Sequence, residues 1–388
     1  MKRRSLQNST RLPGSKMNTV IAAAENFISH AETIAGVEAF GHGIIHDTYL
    51  VKLGNGADRF ILQRINTQVF TNPAAVMRNL RLVCAHMQER RTVSGSAIDA
   101  GWQVLEVMPA RDGRDFFVDA HGAFWRALRF IRGASPLEQI SCLHDAGEVG
   151  RALGIFHWLL SDLKPGLLHT TLPEFHNIEH YLKQYDEVLA WSNKSGEAGR
   201  FCQQFVEDRK RWAPVLENGR RENLLRVRVI HGDPKINNIM VNRSTGHAVS
   251  IIDLDTVMPG LVLYDIGDCL RSSCNLAGEE VADFSAVRFD LERCGAVLSG
   301  YTGAAREALT GSDCNFLFDA IRLIPFELGL RFYTDFLKGN EYFKVSRRDQ
   351  NLERAMVQFK LVESIEEQEE GIRAVIEECR AAFTGSNS

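Results

Sequence analysis

Val229-Ile230-His231-Gly232-Asp233-Pro234-Lys235-Ile236-Asn237-Asn238-Ile239-Met240 is the most informative stretch of this 388-residue chain. A polar loop sits between two apolar runs, and in it Asp233, Lys235 and Asn238 follow His231 at short, fixed offsets. Twenty residues beyond Asp233 comes a second stretch, Ile251-Ile252-Asp253-Leu254-Asp255. The intervening Asn242–His247 is polar and contains a glycine, which suits a β-turn joining strands Ile239–Val241 and Val249–Ile252. Such a hairpin returns Asp253 to the neighbourhood of Asn238.

These residue types in this order suit one chemistry. Phosphoryl transfer needs little covalent help, so positioning and charge neutralisation dominate. A carboxylate must meet the acceptor hydroxyl, a cation must accompany the transferring group, and oxygen ligands must hold Mg²⁺. The pattern H-x-D-x-x-x-x-N offers Asp233 as the base, Lys235 near the γ-phosphate and Asn238 as a metal ligand. Asp253 is the second metal ligand. A plain polar loop would explain the Asp and Asn residues singly, but not the motif, spacing and hairpin together. His231 reads as a buried histidine that pins backbone rather than as a proton carrier.

Outward from this centre, the two halves of the chain differ. A helix is expected over residues 18–35, then strands at Val37–Phe40, Thr48–Leu53 and Arg59–Ile65, the last two joined by an Asn55-Gly56 turn. Asn72-Pro73 opens a helix reaching about Glu89. Strands follow at Gln103–Met108, Asp115–Val118 and Trp125–Ile131, for a small sheet with one inserted helix. From Pro136 the pattern turns helical, with helices at His144–Leu163, Phe175–Ala190, Gly199–Leu216, Phe284–Thr302, Asn315–Leu337 and Asp349–Phe383. Gly133-Ala134-Ser135-Pro136 is the expected junction. The divisions are thus 1–35, an N-terminal extension and helix; 36–132, a nucleotide-binding lobe; and 133–388, the lobe with catalytic loop and acceptor site.

Composition removes several alternatives. Apolar residues make up 45% and charged residues 24%, the balance of a soluble globular protein. The net charge of −4 supplies no global field toward nucleic acid or a membrane surface. Eight scattered cysteines without a C-x-x-C pair suggest small buried residues in a reducing, cytoplasmic setting. Lys2-Arg3-Arg4 is followed by polar sequence rather than an apolar segment, so no signal peptide is expected, and Met17 is an alternative start. No apolar run reaches the ~18 residues of a membrane span.

The catalytic stretch and the Asp253 segment resemble those of the aminoglycoside phosphotransferase and choline kinase superfamily. More narrowly, Ile252-Asp253-Leu254-Asp255-Thr256-Val257-Met258-Pro259-Gly260 with Tyr264-Asp265-Ile266-Gly267-Asp268 is similar to the N-acetylhexosamine 1-kinases. So are Ile61-Leu62-Gln63-Arg64-Ile65-Asn66 and Arg331-Phe332-Tyr333-Thr334-Asp335, followed by Tyr342-Phe343-Lys344. The resemblance runs from about residue 40 to 345. It implies an α+β, two-lobed protein-kinase-like fold, with a small N-terminal antiparallel sheet plus helix and a larger, mostly helical C-terminal lobe. It also implies ATP and Mg²⁺ as cofactors.

By the same resemblance, the turn holding Gly41 and Gly43 covers the ATP phosphates, Arg64 stands where a phosphate-pairing lysine is usual, and Phe130 and Ile131 offer an adenine slot. The usual partner of that lysine is a glutamate on the next helix, but helix 73–88 has no carboxylate before Glu89. Either another acid orients Arg64 or the pairing is absent. Gly232 replaces an arginine found in many protein kinases, so activity is expected without activation-loop phosphorylation. On the acceptor side the resemblance points to Arg331, Asp335 and Tyr342. An Arg331–Asp335 pair at i,i+4 and a packed tyrosine are the plain alternatives. Asp265 is expected to organise the loop, and both it and Asp268 to stand outside the chemistry. His176 and His180 share i,i+4 spacing but have no third ligand, so they read as solvated helix histidines.

The sequence therefore predicts an ATP-dependent small-molecule kinase acting on the anomeric hydroxyl of an N-acetylhexosamine. An aminoglycoside, a choline-like alcohol or another metabolite is the alternative acceptor, and a non-catalytic nucleotide-binding module the alternative of another class. The expected partner is a small sugar, with neither nucleic acid nor membrane; oligomeric state stays open.

Overall fold

The computed structural model describes residues 14–41, 45–54, 59–94, 101–192, 196–281, 283–305 and 308–385. Gly43, the Asn55-Gly56 turn and Lys2-Arg3-Arg4 lie outside them. The chain divides into two compact units, one of residues 1–85 with 103–132, the other of 86–102 with 133–388.

The first unit opens with α1 (Gly14–Ala24) and a 3-10 turn, Glu25–Phe27. The helix expected to reach residue 35 stops early because the Glu32 carboxylate accepts hydrogen bonds from the Ser29 amide and hydroxyl, at 2.8 and 2.9 Å. Ile34 then begins β1 (Ile34–Ala39), followed by β2 (Asp47–Leu53), β3 (Arg59–Arg64) and α2 (Pro73–Ser94). β4 (Val107–Met108), β5 (Phe117–Val118) and β6 (Phe124–Arg129) complete an antiparallel sheet of order β1-β2-β3-β6-β4, with β5 also on β6. Its six strands fall at the six strand positions read from the sequence. In the turn before β6, Asp119 accepts from the His121 and Ala123 amides and from the Trp125 indole, folding Phe117-Val118 back on the strand. Alternate residues of β2, Tyr49, Val51 and Leu53, share one face and pack with Phe60, Leu62, Trp125 and the α1-side residues Val20, Ala24 and Phe27.

The second unit carries a three-stranded sheet of order β10-β9-β7, from β7 (Ala134–Pro136), β9 (Ile239–Asn242) and β10 (Ala248–Ile251). Ala134-Ser135-Pro136, read from sequence as part of the junction, is thus a strand. A separate ribbon pairs β8 (Arg228–Ile230) with β11 (Met258–Gly260). Around these stand α3 (Leu143–Leu159), α4 (Ile178–Leu189), α5 (Glu197–Arg209), α6 (Val215–Arg221), α7 (Val262–Cys274), α8 (Leu291–Ala305) and α9 (Gly311–Lys338). The C-terminal helical stretch is two helices, α10 (Gln350–Glu367) and α11 (Glu369–Gly385). α3 and α8 touch backbone to backbone. A Cβ on Gly150 would fall 1.9 Å from the Val297 carbonyl oxygen, and one on Gly300 2.0 Å from that of Gly147, so only glycine fits.

α9 starts at a capping box made by Thr310 and Asp313 and ends at Gly339, φ +109°. No helix among the described residues is long and apolar enough to cross a membrane. All eight cysteines are free, and Cys142 is exposed, unlike the buried residue expected.

Candidate active site

The loop between β8 and β9 is built by hydrogen bonds to its backbone. Asp265, in the first turn of α7, accepts from the amides of His231 and Gly232 at 2.6 and 2.8 Å. His157 of α3 binds the same carboxylate at 2.8 Å and reaches the Tyr301 hydroxyl with its other nitrogen. Burial alone would raise the Asp265 pKa, but the His157 contact and the amide bonds hold it below the usual carboxylate range. A charged Asp265 is therefore the anchor of the loop, the organising role expected of it.

Gly232 has φ +88°, and a Cβ there would meet the Thr256 carbonyl at 2.8 Å, so the turn that presents Asp233 needs glycine. His231 is fully buried. Its Nε2 lies 3.0 Å from the Ile252 carbonyl and its Nδ1 accepts from the Asp233 amide at 3.3 Å, so the ring pins two backbone segments.

The β9–β10 hairpin forms as its sequence requires. Asn242 accepts at its side chain from the Ser244 and Thr245 amides, and Ile239 pairs with Ile251. The Ile252 amide donates to the Asn238 carbonyl at 2.8 Å, so Asp253 emerges beside Asn238. Asp253 is in the left-handed region, φ +67°, which turns its side chain out of the strand direction. The Asn238 amide nitrogen donates to the Asp233 carbonyl at 2.8 Å, which fixes the amide and leaves its oxygen without a donor among the described residues. The Asp253 carboxylate also has no hydrogen-bond donor among the described residues.

Lys235 Nζ lies 2.5 Å from Asp233 Oδ2, with 28% of the Asp233 side chain exposed. Desolvation pushes the Asp233 pKa up, Lys235 pulls it down, and the charges of Asp268 and Asp253 push it up again. Lys235 stays charged because Asp233 and Asp253 outweigh its own burial. Asp268 Oδ2 is buried without a hydrogen-bond partner among the described residues, while its Oδ1 takes Arg271 at 2.7 Å. Three carboxylates thus converge on one lysine, an excess of hard oxygen donors and negative charge. That donor set fits a divalent cation such as Mg²⁺, with Asn238 and Asp253 the residues free to hold it.

On the acceptor side the Arg331–Asp335 pair, the plain alternative to an acceptor role, does not form. Arg331 instead reaches Glu327, one turn earlier, at 3.5 Å, and lies over the rings of Tyr181, Phe175 and Phe343 at 5.0–5.7 Å. Its other N–H groups make no hydrogen bond among the described residues. Asp335 is saturated: its two oxygens take the amides of Glu341, Tyr342 and Phe343 and the Asn351 side chain. Asp335 holds the loop rather than facing a ligand, and the loop presents Tyr342, which is 56% exposed.

His176 corrects a second expectation. It is buried, lies before α4 with φ +64°, and spans from Glu327 Oε2 (3.1 Å) to the Gly232 carbonyl (3.0 Å). It therefore ties the Arg331 partner to the catalytic loop. Sequence reasoning missed His176, Glu327 and the orphaned Asp268 oxygen, because their roles depend on contacts between distant segments.

In the first unit, Arg64 has its acid in Asp47, directly opposite on β2, with Nη2 2.5 Å from Oδ2. The expected helix glutamate is replaced by a cross-strand partner. Gly41 has φ +75° and open space where a Cβ would point. Phe130 is half-buried, edge-on to Phe40 at 6.2 Å and under the Arg59 guanidinium, with Ile131 beside it half-buried.

Comparison with solved structures places this architecture among kinases. A microcompartment-associated aminopropanol kinase is similar over 92% of this chain and 98% of its own, with 18% identity and a TM-score of 0.62. An aminoglycoside phosphotransferase from Alicyclobacillus acidocaldarius matches over 99% and 100%, at 11% identity and 0.58. A choline kinase from Cryptosporidium parvum matches over 92% and 99%, at 14% identity and 0.57. At such identities the likeness establishes the kinase-like fold. The profile of the phosphotransferase enzyme family matches residues 36–297, a span containing the catalytic loop, the hairpin and Asp265, and the chain belongs to that family.

Proposed function

We propose that this phosphotransferase moves the γ-phosphoryl group of ATP to the anomeric hydroxyl of an N-acetylhexosamine, giving ADP and the sugar 1-phosphate. The observation that carries the reading is the meeting of Asp233, Lys235, Asn238 and Asp253 at one end of a hairpin. Asp233 accepts or orients the proton of the acceptor hydroxyl, its carboxylate aimed by the Asp265-anchored loop. Lys235 supplies positive charge beside the transferring group. Asn238 and Asp253 would hold Mg²⁺, which when bound neutralises charge on the phosphate oxygens. Arg64, steadied by Asp47, adds charge for the nucleotide phosphates, while Gly41 would cover them and Phe130 and Ile131 flank the base.

Support for a neutral sugar comes from Arg331. Its unused guanidinium donors suit hydroxyl or amide oxygens and repel a cationic amine. The exposed ring of Tyr342 suits the apolar face of a pyranose. The test is ADP release with N-acetylglucosamine, N-acetylgalactosamine, choline, ethanolamine and an aminoglycoside, with the product phosphate located by NMR. Turnover on a hexosamine at its 1-position is expected; turnover confined to the amines would overturn the acceptor assignment while leaving the kinase chemistry standing.

A further inference from the structure

The far end of the β9–β10 hairpin carries a cluster that phosphoryl transfer does not use. His144 and Glu148 lie one turn apart on α3, and His247 sits on the hairpin turn just after Gly246. One ligand atom from each falls within 4.8 Å of the other two. The two imidazoles meet edge to face at 5.4 Å, and His247 Nδ1 is 3.3 Å from Glu148 Oε1.

Each ligand is held for a reason visible in the fold. Glu148 is buried, and its Oε2 accepts the Ala248 amide at 2.6 Å, fixing the carboxylate against the base of β10. Arg151 binds both carboxylate oxygens from the next turn of α3. Partners that orient a ligating carboxylate in this way are usual around protein-bound metals. Burial would raise the Glu148 pKa, yet Arg151 and the Ala248 amide hold it down, so the group is ionised. Gly246, φ +75°, turns the backbone so that His247 faces His144.

We propose that His144, Glu148 and His247 form a binding site for a divalent transition-metal ion of the zinc class. Two imidazoles are borderline nitrogen ligands, and beside one carboxylate they select zinc, cobalt or nickel over magnesium. Metal–ligand bonds of about 2.1 Å put tetrahedral donors roughly 3.4 Å apart. The histidines are exposed, so their side-chain torsions close the remaining gap without moving backbone. Water takes the fourth position. The ion would clamp the turn of the catalytic hairpin to α3.

The experiment uses the full chain without a histidine tag, freed of metal by chelation and held in excess Mg²⁺. Co²⁺ is titrated by visible absorption and Zn²⁺ by calorimetry, on the wild type, His144→Asn, His247→Asn and Asp253→Asn. One ion per chain is expected, bound at least ten-fold more weakly by either histidine variant and unchanged by Asp253→Asn. Because both histidines are exposed, their variants fold, which circular dichroism verifies. Absence of binding in the wild type, equal affinity in the histidine variants, or loss in Asp253→Asn alone would each overturn the site.

Discussion

The Ile252 amide donates to the Asn238 main-chain carbonyl across 2.8 Å, and that one bond sets Asp253 beside the Asn238 side chain. Two residues fifteen apart in sequence become neighbours because a short hairpin closes between them.

Replacing Asp233 by Ala should cut kcat by about 10²–10⁴-fold, the span ascribed to a positioned acid or base. Nucleotide binding should persist, since Asn238, Asp253 and Arg64 remain. Single-turnover phosphoryl transfer and fluorescent-nucleotide titration give the two numbers. Near-normal turnover would remove Asp233 from its proposed role.

Asp253→Asn should raise the Mg²⁺ concentration needed for half-maximal activity, because a charged hard ligand becomes a neutral one. Asn238→Ala should do likewise. A steady-state titration of Mg²⁺ at fixed ATP measures this, and an unchanged midpoint in both variants would mean that the cation is held elsewhere.

Gly232→Ala should cost roughly 1–3 kcal/mol of stability, the strain of a side chain in left-handed backbone. The Cβ also meets the Thr256 carbonyl, so the loop must shift and activity should fall with stability. Denaturant unfolding and kcat together test it. A variant as stable as wild type would show that the turn tolerates a side chain.

The His176–Glu327 pair should make stability depend on pH. Burial favours the neutral ring, but Glu327 and the Gly232 carbonyl favour the protonated one, and the net pKa is raised. A raised folded pKa gives stability that is complete below the unfolded value, about 6.5, and is lost as pH rises through the folded value. The stability gap between wild type and His176→Gln should thus be wider near pH ~5.5 than near pH ~9. Thermal unfolding at both pH values decides; equal gaps would mean that the pair is not charged.

Tyr342→Ala should raise the KM for the sugar while leaving thermal stability unchanged, because the ring is exposed. Asp335→Asn should lower stability as well, since a neutral amide cannot accept all four donors now on the carboxylate. Equal KM values for wild type and Tyr342→Ala would remove the ring from the acceptor site.

Much of this protein is local and was therefore legible. The hairpin turn, the catalytic loop and the pinning role of His231 follow from turn residues, alternation and a fixed spacing within about 25 residues. The helical character of the second half followed from periodicity, but helix ends did not. The first helical stretch stops at Phe27, where Ile28 turns extended, and residues 174 and 176 take left-handed backbone before α4 begins.

By itself the sequence determined the strand-rich first half, the helical second half and the hairpin, because backbone propensity and short-range spacing act before any packing does. Which charges pair was decided only in three dimensions. Arg64 found Asp47 across a strand register, Arg331 found Glu327 rather than Asp335, and His176 was drawn from a presumed surface into the interior. A charged group goes to whichever partner satisfies it when water is excluded, and that exclusion exists only once distant segments have come together.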